Sequence, residues 1–99
     1  MLRHIVMFKL KGTKEAEKKQ YSQQLKSAIE ALPESVEQVK FMEVGENINQ
    51  NPSAYDLVLV SDFENEEALN IYRNHPEHVK VIEIIQSLVA SIHVVDYIV

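Results

Sequence analysis

The chain has 99 residues, 45% of them hydrophobic and 25% charged, enough for one buried core and too few for two. Fifteen acidic against ten basic residues give a formal net charge of -5, so there is no basic stripe of the kind that phosphate backbones and anionic lipids require, and neither nucleic acid nor a membrane is expected as a partner. Without cysteine, disulfides, thiolate nucleophiles and cysteine-ligated metals are excluded. Arg3, His4 and Lys9 break up the start of the chain as no signal-peptide core would, and no apolar run reaches membrane-spanning length, so a cytoplasmic protein is expected.

Residues 2–10 (LRHIVMFKL) are apolar or β-branched with no breaker and predict a first strand, closed by Gly12 and Thr13. Thr13 is the expected N-cap of a long helix, with Glu15 and Glu17 in its first turn and Tyr21, Leu25, Ala28, Ile29 and Leu32 at helical spacing up to Pro33. Residues 36–44 alternate as a second strand; Gly45 ends it, and the polar residues 46–53 form an exposed connection. Residues 54–63 (AYDLVLVSDF) are the densest apolar run and predict a third, central strand. Asn65 caps a helix with Glu66 and Glu67 in its first turn and Ala68, Leu69 and Tyr72 along its apolar edge, ending where His75 precedes Pro76. Pro76 restarts a helical piece whose stripe is Val81, Ile82, Ile85 and Leu88, up to Ser91, and residues 92–98 form the last strand.

This order, β-α-β-β-α-β, defines one α+β domain over residues 1–99: a ferredoxin-like, four-stranded antiparallel sheet with its last strand beside its first. Helices cover only one face, yet both faces of the first and last strands are apolar. The uncovered face, with Ile5, Met7, Val95 and Tyr97, therefore calls for a second copy, and a homodimer closing an α/β barrel is expected.

Five polar residues stand out: His4, Tyr72, His75, His78 and Asp96. Antiparallel pairing of the first and last strands sets His4 opposite Asp96, Val6 near Val94 and Phe8 near Ile92, an imidazole beside a carboxylate as in acid/base sites. Tyr72 and His78 join them if the helices cover that same face, giving a pocket between helices and sheet whose expected lining is Val6, Phe8, His75, Val81 and Ile82. Each residue also has a plainer role: the His4–Asp96 pair as a structural hydrogen bond, Tyr72 as a core aromatic with its hydroxyl at the rim, His75 as a helix cap. His75 and His78 are spaced to share a metal but lack a third ligand, so no metal is expected, and with neither a glycine-rich phosphate loop nor a nucleophile elbow, no cofactor is implied.

Four stretches together, RHIVMFKLK, YDLVLVSDF, ALNIYRNHPEHVKV and VVDYIV, resemble the stress-responsive α/β barrel (Dabb) family over nearly the whole chain. The resemblance implies a dimeric ferredoxin-like barrel but no single activity. Many such proteins have none assigned, some plant ones are associated with stress, and one plant branch closes polyketide rings by aldol condensation. In those cyclases a Tyr and a His of this helical stretch are the catalytic pair, matching Tyr72 and His78, and a first-strand His and a late Asp match His4 and Asp96. A further pocket His of the cyclases falls at Leu57 here, a departure from that substrate class. What the resemblance and the residues together suggest is a small apolar carbonyl ligand and an acid/base role in which Asp96 orients His78, against the alternative of a non-catalytic ligand-binding or structural homodimer in stress response.

Overall fold

Alternation along the first strand decides which sheet face is covered: Leu2, His4, Val6, Phe8 and Leu10 are buried, whereas Met7, pointing the other way, is exposed. The computed structural model describes all residues, 1–99, in the order β1 (Leu2–Leu10), α1 (Glu15–Glu30), α2 (Leu32–Ser35), β2 (Phe41–Glu46), β3 (Leu57–Phe63), α3 (Glu66–Asn74), α4 (Pro76–Leu88) and β4 (Val89–Ile98). The four strands form one antiparallel sheet in the order β2-β3-β1-β4, so the expected ferredoxin-like α+β architecture is present with β1 and β3 central. The helices lie on the face that buries His4, and their stripes supply the other half of the core: Leu25 and Ile29 from α1, Leu32 from α2, Leu69 and Tyr72 from α3, and Val81, Ile85 and Leu88 from α4.

Several boundaries differ from expectation for local reasons. Gly12 takes a φ of 102°, open to glycine at little cost, and the turn it makes leaves Lys14, not Thr13, at the head of α1; the Glu17 side chain instead reaches back to the Thr13 N–H at 3.4 Å. Pro33 does not stop the helical course but opens the short turn α2, which carries the chain through Ser35 and delays β2 to Phe41. Gly45 lies inside β2, where a Cβ would meet Val58 Cγ1 at 3.1 Å. β3 starts at Leu57 because the preceding Asp56 is tied across to β1, its N–H donating to the Phe8 carbonyl at 2.9 Å and its carboxylate accepting the Leu10 N–H at 2.8 Å. β4 follows α4 without a loop and begins at Val89.

On the open face, Ile5, Met7, Val58, Val60 and Val95 make an apolar stripe. Arg3 closes one end: its Nε donates to Asp62 at 2.8 Å, and that bond holds the Asp62 carboxyl below the usual carboxylate range. No helix is long and apolar enough to cross a membrane. Because Leu25 is fully buried between α1 and the sheet, Leu25→Ala is expected to lower unfolding stability by about 2–5 kcal/mol in urea titration, through lost burial and the cavity left behind.

Candidate functional site

The register between β1 and β4 pairs His4 with Asp96, Val6 with Val94 and Phe8 with Ile92, as the strand pattern predicts. His4 Nδ1 lies 2.5 Å from Asp96 Oδ1. A carboxylate oxygen only accepts, so Nδ1 carries the proton and donates it, leaving Nε2 without a partner. From His4 a train of rings crosses to the helices. Phe63 stands edge-on to it at 6.4 Å, Tyr72 follows at 4.9 Å from Phe63, and His78 at 4.4 Å from Tyr72, all between ring centroids. The structure thus brings together His4, Asp96, Tyr72 and His78 on the helix-covered face.

Asp96 does not orient His78, contrary to expectation. Its second oxygen accepts from Arg73 Nη2 at 3.1 Å, and His78 is held instead by main chain, its Nδ1–H donating to the Arg73 carbonyl at 3.0 Å. The helix break makes this bond available. In an unbroken helix the Arg73 carbonyl would accept the N–H of Glu77 four residues on; here that N–H donates to His75 Nδ1 at 3.1 Å, which caps α4. Burial pushes the His78 imidazole below its ordinary value, helped by the charges of His4 and Arg73 against the opposing Arg73 bond, so the ring is neutral at pH 7 with its lone pair on Nε2. The Tyr72 phenol, 1% exposed, is raised well above the usual range by burial and stays protonated. No buried side-chain nitrogen or oxygen lacks a hydrogen-bond partner, yet neither Nε2 nor the Tyr72 hydroxyl has one, so these three atoms reach the surface.

The expected lining is distributed differently. Val6, Phe8 and Val81 are packed into the core, and His75 faces the α4 cap. Of the well-formed concavities, none includes His4, Tyr72, His78 or Asp96. A polar cleft of 660 Å³ lies between α1 and the 47–54 connection, one of 220 Å³ lies beside Met7 and Tyr55, and one of 370 Å³ lies where Ile85 of α4 faces Val89 and Ile92 of β4. His78, Ile82 and Ile85 fall on one side of α4, and Asp96, Val94 and Ile92 follow one another along the facing side of β4. Ile82, Ile92 and Val94 are each more than a third exposed, so this part of the helix-side face is open to solvent rather than an enclosed pocket. No three His, Asp or Glu side chains converge as metal ligands would. Arg73 went unnoticed in the sequence; its one signal was a basic residue in the last turn of α3, directly before the break.

Fold and site define a ferredoxin-like α+β protein. The chain belongs to the stress responsive A/B barrel domain family, whose sequence pattern spans residues 2–99. It is similar to a dimeric protein of unknown function from Bacteroides fragilis, with 36% identity, a TM-score of 0.88, and 97% of this chain and 93% of that one covered. An uncharacterized protein of Streptomyces coelicolor is 33% identical over 78 residues, 79% of each chain. The hydroxynitrile lyase of Passiflora edulis has a TM-score of 0.84 at 16% identity over 99% of this chain and 92% of its own, a likeness of fold alone.

Two measurements check this site. A folded chain that disfavours protonation of His78 binds that proton less tightly than the unfolded chain, so stability is full above the ordinary histidine value of 6.5 and declines as pH falls through the folded-state value. NMR titration is expected to place the His78 midpoint below 6.5. Asp96→Ala is expected to cost about 1–3 kcal/mol in thermal or urea unfolding, because the buried His4 Nδ1–H loses its acceptor; an unchanged or higher stability contradicts the pairing.

Proposed function

We propose that an apolar groove runs between α4 and β4 from Ile85 and Ile92 to His78 and Asp96, and that its polar end is an acid/base site that takes a proton from the carbon beside a carbonyl of a small apolar molecule. One observation carries this reading: two imidazoles, His4 and His78, each have Nδ1–H committed to a fixed acceptor and Nε2 left free, and the ring of a protonated Tyr72 lies against His78. His78, kept neutral, takes the proton on Nε2 and, after exchange with solvent, gives one back to the same carbon; the Tyr72 O–H donates to the carbonyl oxygen, and the His4–Asp96 pair completes the polar end. The groove receives the apolar part of the ligand along Ile82, Val94 and Ile92. In this reading the protein works in the cytoplasm as a homodimer, joined through the open sheet face, and the dimeric Bacteroides fragilis relative supports the pairing.

A second reading, a groove that binds without catalysing or a homodimer with a structural role, is favoured by the near-complete burial of Tyr72. Exchange chemistry separates the two. With pentyl methyl ketone in D2O, the protein is expected to accelerate deuterium uptake beside the carbonyl, with rates falling about 10²-fold or more in His78→Gln and markedly in Tyr72→Phe. Uptake no faster than in buffer, with the ketone still bound, assigns the groove to binding alone.

A further inference from the structure

We propose that Arg73 makes this groove selective for ligands whose reacting end carries a carboxylate. The inference rests on the acid/base reading for the identity of the groove, but on different atoms. Arg73 is anchored at the polar end by two bonds, Nη2 to Asp96 Oδ2 at 3.1 Å and Nη1 to Asn70 Oδ1 at 3.3 Å, so its planar head is already oriented. Two of its five N–H donors are engaged in this way; the others have no side-chain acceptor in the chain, and 44% of the side chain is open to solvent. A guanidinium fork with free donors fits a carboxylate better than any neutral head group.

The surrounding charges agree. Asp96 is the one carboxylate bonded to the cluster, and its two oxygens are already matched by His4 and Arg73, so an entering anion meets no unpaired negative charge there. The nearby cations elsewhere are engaged: Lys80 pairs with Glu77, and Arg3 pairs with Asp62 on the opposite sheet face. The Arg73 carbonyl accepts from His78 Nδ1 at 3.0 Å while its guanidinium bonds Asp96, so a carboxylate held by Arg73 enters the cluster that contains His78, with exposed Ile82 and Val94 available to its apolar tail.

Hexanoate and hexanol, equal in tail and different in head, are suitable probes. Titrated into the full chain with the ring C–H signals of His4 and His78 followed by NMR, hexanoate is expected to bind about tenfold more tightly than hexanol. Arg73→Met is expected to remove that preference and Arg73→Lys to restore part of it, while thermal melting of both variants verifies folding. Equal binding of the two probes, a preference that survives Arg73→Met in the folded variant, or hexanoate shifts confined to other histidines overturns the proposal. Failure of ketone exchange with the hexanoate preference intact would instead remove only the catalytic reading.

Discussion

Strand β1 is hydrogen-bonded along both edges, and its antiparallel register with β4 joins the beginning of the chain to its end. Every feature of the site descends from that pairing. A slip of one residue would turn His4 away from Asp96 and carry both onto opposite faces, since side chains alternate along a strand. The register is held from the core side by Leu2, Val6, Phe8 and Leu10, buried under the helices, and a one-residue shift would expose them all. Apolar burial therefore fixes the position of a polar pair, and no separate device is needed to align it.

The site is also a case of charges arranged to cancel. Asp96 stands between an imidazole N–H and a guanidinium, one on each oxygen, at the margin of the core where a lone carboxylate would be costly. His78 needs no carboxylate, because a main-chain carbonyl fixes its tautomer without adding charge. An uncharged acceptor suits a ring that burial already keeps neutral, whereas an acid in that place would favour the imidazolium. The two histidines are thus held by different means, one by a charged acceptor and one by a neutral one.

Much of this was legible in the residues alone. Strand order, the His4–Asp96 register, the Asn65 cap and the break at Pro76 follow from alternation, spacing and the chemistry of proline, which are local properties. The errors came where tertiary contacts outvote local preference. Thr13 is a good cap by type, but the Gly12 turn sets the helix start elsewhere, and Asp56 is drawn off the strand by its bonds to β1. The acceptor that orients His78 is hidden from the sequence for a related reason. A pattern of side chains draws attention to side-chain partners, and the partner turned out to be a carbonyl, which every residue possesses and no sequence displays. Arg73 escaped notice because a single arginine on an exposed helix edge is ordinary until the fold sets it against β4.

The exchange of bonds at the helix break has a consequence for variation at His75. Its imidazole takes a main-chain donor out of circulation, and the carbonyl so released is the one that grips His78. A side chain at position 75 unable to accept would let the two helices compete for a continuous ladder, checked only by the ring of Pro76. Position 75 therefore acts as an editor of backbone connectivity: a residue that need touch no ligand, yet whose replacement would reach the base through the main chain.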